Sequence, residues 1–300
     1  MSHWAQARYY LLRALSTLSE YVRLTRLDKP VGIWLLLWPT LWALWVAGRG
    51  RPDERVLVVF LAGVVVMRSA GCAINDYADR RIDPKVARTR NRPLAAGRIS
   101  GTEAIVLYVL LSLVALGLVL NLDPLTQKYS LAGAALALIY PFLKRVTSLP
   151  QVWLGLAFSW SIPMAFSAET GAVPRVAWLL FIAAALWTVV YDTIYAMVDR
   201  ADDLRAGVRS TATLFGDADR VILALLQTLV LATLMLVGRN LAFGRWYAAG
   251  LVAGSLCFIW QQWLIRTRDP AGCFRAFIAS HHFGLCVFAG IALDYLYRHH

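Results

Sequence analysis

Acidic side chains are scarce in this chain: 18 Asp and Glu stand against 30 Lys and Arg, giving a net charge of +12 over 300 residues. Charged residues of both signs make up only 16%, too few to clothe a soluble domain of this size. No CxxC pair occurs among Cys72, Cys257, Cys273 and Cys286, which are scattered along the chain. That excludes a zinc site or a disulfide framework and leaves the cysteines as small packing residues. No small-residue cleavage site follows the first long apolar stretch, and no removable targeting peptide is expected.

What is abundant is apolar surface. Hydrophobic residues make up 59% of the chain and include twelve Trp, and the mean hydropathy is +0.57. These values describe an all-α polytopic membrane protein. In a soluble chain the basic excess would suggest nucleic acid as a partner; in a membrane protein it is the signature of cytoplasmic loops, and no nucleic-acid role is expected. Residues 1–29 mix apolar and basic positions without reaching the length of a span and read as an amphipathic segment on the cytoplasmic surface. About nine stretches near the length of ~20 residues that a bilayer demands follow, at 30–48, 55–76, 103–121, 129–145, 152–169, 176–198, 219–237, 246–265 and 276–296. Pro39, Pro141 and Pro163 lie inside them and should kink or tilt their helices. With the N-terminus inside, cytoplasmic segments hold 21 Lys and Arg and outer ones 8. The bias orients the chain with its N-terminus in the cytoplasm and its C-terminus outside.

The scarce acids are concentrated. Seven of the 18 lie in two runs, Asn75-Asp76-Tyr77-Ala78-Asp79-Arg80-Arg81-Ile82-Asp83 and Tyr191-Asp192 through Asp202-Asp203, each closing an apolar stretch. On a helix Asp76, Asp79 and Asp83 share one face, and so do Asp192, Asp199 and Asp203. Carboxylates packed in this way repel unless cations neutralise them. Both runs fall at the cytoplasmic ends of their spans and can meet around one cavity open to that side. Hard oxygen ligands favour Mg²⁺, which typically bridges carboxylates to a phosphate-bearing substrate. Arg88, Arg90, Arg92, Lys144, Arg145, Arg200, Arg205 and Arg209 follow or interleave the runs and offer cations to a diphosphate. Arg68, two turns before Asp76 inside a span, should point into the cavity, as an internal partner of Asp76 or as a ligand for an anionic acceptor; Lys29, at the mouth of the first span, competes for the second role. His281 and His282 read as interface residues. The Trp34, Trp38, Trp42 and Trp45 stripe has the spacing of one helical face and could flank an apolar tail.

The segments NDYADRRID, TRNRPLAAGRIS, YPFLKRVTSLPQVWLGLAFSWSIPMAF and YDTIYAMVDRADDLRAGVRSTATLFG resemble the UbiA family of intramembrane aromatic prenyltransferases, from about Leu24 to the C-terminus. The family motif NDxxDxxxD falls on Asn75, Asp76, Asp79 and Asp83. Of a second, DxxxDxxxD, Asp199 and Asp203 match while Tyr195 stands at the first position. The resemblance implies one transmembrane prenyltransferase domain over 30–300, with nine helices around a central cavity. It implies Mg²⁺ held by Asp76, Asp79, Asp83, Asp192, Asp199 and Asp203, of which Asp79, Asp83, Asp199 and Asp203 are expected to be catalytic. Lys144, Arg145, Arg88, Arg92 and Arg209 are then expected on the diphosphate of a polyprenyl donor, and Lys29, Arg68 and Asn75 on 4-hydroxybenzoate, in a step of ubiquinone synthesis in the bacterial inner membrane. A CDP-alcohol phosphotransferase is set aside because its DGxxAR signature is missing, and a cation transporter because the carboxylates sit at helix ends. A sister prenyltransferase acting on another quinone or haem precursor remains open.

Overall fold

The computed structural model describes residue 4, residues 16–143 and residues 145–298, and among these there is no strand. Residues 1–3 and 5–15 of the amphipathic segment expected at 1–29, and Lys144, therefore lie outside the described residues. Helix α1 covers residues 16–24. It is followed by α2 (Val31–Ala47), α3 (Glu54–Asp79), a 3₁₀ turn (Asp83–Lys85), α4 (Gly101–Val119), α5 (Pro124–Leu143), α6 (Pro150–Ser159) and α7 (Ser161–Thr170). The second half holds α8 (Arg175–Ala206), the short α9 (Thr211–Phe215), α10 (Asp219–Asn240), α11 (Arg245–Leu264) and α12 (Pro270–Arg298).

Local sequence sets the boundaries. Asp53 caps α3 by accepting from the Val56 amide at 3.0 Å. Ser100 and Glu103 form a reciprocal capping box at the start of α4, with bonds of 2.8 and 3.2 Å. The stretch expected as one span at 152–169 is instead two ten-residue helices, α6 and α7, meeting at Trp160. Pro163 accounts for the break: it has no amide to donate to Ser159, and its ring crowds that carbonyl. Trp160 fills the joint and donates its indole N–H to the Tyr129 carbonyl at 2.7 Å.

Among the described residues five helical stretches are long and apolar enough to cross a bilayer: Glu54–Asp79, Gly101–Val119, Arg175–Ala206, Thr211–Asn240 and Pro270–Tyr297. Helix α8 is the central one, two-thirds buried over its most apolar window. Its Trp187 lies 5.5 Å from Trp42 of α2 and 5.5 Å from Phe283 of α12, all three fully buried. The Trp42 indole donates to the Gly284 carbonyl at 3.0 Å. Helix α4 is the opposite case, with Leu110, Leu113 and Val114 turned outward. An exposed apolar face of this extent is compatible with lipid and not with water.

The polar loops gather at one end of the bundle. Helix α1 docks there through Leu24, which packs against Ala73, Ile99 and Ala104, while Glu20 accepts from Arg98 at 2.9 Å.

Candidate active site

Asp76 and Asp79 end α3 almost wholly buried, at 1% and 2% exposure. Asp83 is not on that helix. The helix stops at Asp79, Pro84 helps to set a 3₁₀ turn, and Asp83 opens it. The shared helical face expected of the three carboxylates is therefore replaced by a folded-back loop, which Thr89 pins by donating to the Asp83 carbonyl at 2.9 Å. Convergence survives through Arg92, which donates to Asp76 at 3.1 Å and to Asp83 at 2.9 Å. Burial pushes the Asp83 carboxyl above its ordinary range, Arg92 pulls it down by less, and Asp79 and Asp76 push it further up. Burial also works against the Arg92 charge, but Asp76 and Asp83 outweigh it and hold the guanidinium protonated.

The internal partner expected of Asp76 was Arg68. The ion pairs of Asp76 go instead to Arg92 and to Arg26, which grips it with one nitrogen at 2.8 and 2.9 Å. Arg26 was not singled out in the sequence; its only signal there was its place in the basic approach Arg23, Arg26, Lys29.

The second run lies on the unbroken α8, so Asp192, Asp199 and Asp203 do share one helix. Arg88 reaches over from the loop after α3 and donates to Asp199 through Nε at 2.8 Å, and the Ala87 amide donates to Asp202 at 3.2 Å. The Arg88 guanidinium also lies 4.6 Å over the ring of Tyr195, which packs on Phe277 at 4.4 Å. Tyr195, at the position where the family motif has Asp, thus holds an arginine by its π face.

Beneath these contacts is a cavity of about 1040 Å³. Its polar end is walled by Lys29, Asn75, Asp76, Arg88, Arg92 and Asp192, and its apolar reach runs along α3 and α4 through Gly71, Gly63, Phe60 and Leu116. Arg88 and Arg92 belong to the wall while Asp199 and Asp83, which they bind, do not. Asp79 and Asp203 also lie outside it, as do Arg145, which donates to the Ala78 carbonyl, and Arg209, which donates to the Val146 carbonyl at 3.3 Å. Deeper in, Arg68 lies 5.8 Å from the Phe158 ring centroid, and its buried Nε finds no hydrogen-bond partner among the described residues. A Cβ on Gly32 would stand 2.2 Å from that Nε, so the glycine makes room for the guanidinium. Trp34 lines the cavity, stacked at 5.4 Å on Trp38, whereas Trp42 belongs to the core, so the tryptophan stripe divides between two roles. His281, read as an interface residue, lines the cavity, with its Nδ1 buried and without a hydrogen-bond partner among the described residues.

The donor set suits a hard divalent cation in its chemistry, since carboxylate oxygens from two helices are brought to one end. Among the described residues no three His, Cys, Asp or Glu side chains are grouped so as to hold an ion. Arg26, Arg88 and Arg92 stand against Asp76, Asp83 and Asp199 and supply positive charge there.

Residues 36–287 match the model of the UbiA prenyltransferase family. The chain belongs to that family. It is 58% identical over 276 residues to a protein of Nitrosococcus oceani named 4-hydroxybenzoate octaprenyltransferase, covering 92% of this chain and 97% of that one. It is 54% identical to a protein of the same name from Pseudomonas fluorescens, covering 96% and 99%. Among solved structures, this prenyltransferase superposes with a TM-score of 0.77 on an apo UbiA homolog from Aeropyrum pernix K1, at 25% identity, covering 88% of this chain and 97% of that one. A UbiA homolog from Archaeoglobus fulgidus bound to GPP and Mg²⁺ shares the fold at 19% identity, with a TM-score of 0.66 and coverage of 91% and 99%.

Proposed function

We propose that this prenyltransferase moves a polyprenyl group from polyprenyl diphosphate to the ring carbon ortho to the hydroxyl of 4-hydroxybenzoate, a membrane step of ubiquinone synthesis. The names of the relatives favour an octaprenyl donor. One observation carries the reading: a single cavity has arginines and Asp76 at one end, apolar walls along its length, and the cation Arg68 between them. A diphosphate, a polyprenyl tail and an aromatic carboxylate have those three chemistries.

In this reading the diphosphate is received by Arg88 and Arg92, whose fork-shaped guanidinia match phosphate oxygens and stabilise charge as the allylic C–O bond breaks. Lys144, Arg145 and Arg209 are assigned to the departing diphosphate at the loop end. Arg68 and Asn75 hold the acceptor, with Lys29 at the entrance. The ring carbon bonds to the allylic carbon, and its proton passes to a carboxylate of the Asp79, Asp83, Asp199 and Asp203 group or to the leaving diphosphate. The apolar walls keep water from trapping the electrophile. Mg²⁺ would be held by Asp76, Asp79, Asp83, Asp192, Asp199 and Asp203 once Arg26, Arg88 and Arg92 give up their carboxylates, and would supply Lewis-acid stabilisation of the leaving group. Nine spans in the bacterial inner membrane, N-terminus inside and C-terminus outside, would open the site to the cytoplasm. Membranes carrying the protein, given 4-hydroxybenzoate and labelled polyprenyl diphosphate, should yield the 3-polyprenyl acid only when Mg²⁺ is present. No labelled aromatic product under those conditions would refute the assignment.

A further inference from the structure

Behind the site, and outside the cavity wall, lies a second group of charges. Asp219, the first residue of α10, is fully buried and pairs with Arg200 of α8. It also accepts from Nε of Arg268, in the α11–α12 connection, at 3.1 Å to each oxygen, and from the Arg220 amide at 2.6 Å. Arg268 donates as well to the Asp217 carbonyl at 2.8 Å. Two guanidinia share one buried carboxylate, and a joint needed only for packing would be cheaper if apolar. Arg268 has a φ of 57°, a left-handed conformation uncommon for a side-chain-bearing residue, just past the end of α11.

Arg200 follows Asp199 directly on α8, and neighbouring helical residues point about 100° apart. One side chain faces Asp219 of α10; the other meets Arg88 of the loop after α3. The roll of α8 that satisfies the first bond therefore aims the second, and with it Asp202 toward the Ala87 amide. We propose that Asp219, held by Arg268, is a positioning residue: through Arg200 it fixes the roll of the α8 end and so directs Asp199 at the loop that covers the cavity. Its meaning for catalysis rests on the proposed function, but its geometry does not.

The test reads the geometry first. In membranes, the pair Ala87→Cys and Asp202→Cys, with each single variant as control, should form a disulfide rapidly with a mild oxidant. Adding Asp219→Asn should slow that reaction at least fivefold in protein that remains monodisperse after extraction, and Asp219→Glu should restore it in part. If Asp219→Asn fails to fold, Arg268→Gln decides, since that side chain is about a third exposed and its loss leaves Arg200 paired. In the otherwise unaltered chain the same substitutions should lower kcat tenfold or more, with a smaller change in the KM for 4-hydroxybenzoate. Unchanged cross-linking in the folded variants, whatever their thermal stability, would overturn the proposal. A lack of prenyl transfer by the unaltered protein would overturn the functional reading and leave this one standing on the cross-linking.

Discussion

Arg88 and Asp199 join the two Asp-rich segments across the mouth of the cavity: the guanidinium donates to the carboxylate at 2.8 Å while lying 4.6 Å over the ring of Tyr195. A planar fork bound on its edge and stacked on its face is a role that lysine fills poorly. Arg88→Lys should therefore raise the KM for polyprenyl diphosphate about tenfold, about 1.4 kcal/mol, with little change in that for 4-hydroxybenzoate. Steady-state kinetics with each substrate varied in turn would check this, and equal shifts in both would count against a diphosphate role.

Asp79→Asn and Asp203→Asn each remove one negative charge and keep the shape of the side chain. Each should lower turnover at least a hundredfold, about 2.7 kcal/mol of barrier, at saturating donor and ordinary Mg²⁺ and with normal expression. Near-normal rates in either variant would remove that carboxylate from the reaction.

Much of this was legible in the sequence because period and composition carry it. The apolar stretches, the Asp runs and the basic loop between Asp83 and Ser100 needed only hydropathy and spacing. The break at Trp160 was half legible: Pro163 announced a kink, but a full break depends on Trp160 finding the Tyr129 carbonyl on another helix. Asp83 was placed on the wrong element because helical phase says nothing about where a helix stops. Arg26 was missed because its importance comes from Asp76, fifty positions away, and only the docking of α1 brings them together. The arginines standing against Asp76, Asp83 and Asp199 could not be read at all, since the sequence shows only that cations and carboxylates lie in the same region.

Orientation rests on charge bias, and labelling can test it. A cysteine introduced between residues 84 and 92 should react in intact cells only with permeant reagents. One placed at Lys128 should react with impermeant reagents from the outside. The reverse pattern would turn the protein over in the membrane.

Gly63 lines the apolar reach of the cavity, and a Cβ built there meets nothing within 4 Å. Its missing side chain keeps that channel wide. Gly63→Leu adds a branched group to the open space and should lower kcat/KM for an octaprenyl donor at least tenfold more than for a geranyl donor, since only the longer tail needs the deeper part. Competition between the two donors in one assay reads the ratio directly, and an unchanged ratio would mean that the tail leaves by another route.

The acceptor needs a cation of its own, because its carboxylate enters a site already rich in Asp. The structure separates the two candidates by position: Lys29 is exposed at the entrance, while Arg68 is inside with a buried Nε that no described side chain satisfies. Arg68→Ala should raise the KM for 4-hydroxybenzoate far more than that for the donor, by a hundredfold or so, because a charge-assisted bond to one substrate is lost. Lys29→Ala should change it by less than threefold. Gly32→Ala is the more discriminating variant. Its new methyl would stand 2.2 Å from the Arg68 Nε, so the guanidinium must move although its charge remains. If Arg68 holds the acceptor, this single methyl should also raise the KM for 4-hydroxybenzoate by tenfold or more while leaving the donor KM within twofold. A rise confined to Lys29→Ala would move the acceptor carboxylate to the mouth of α2.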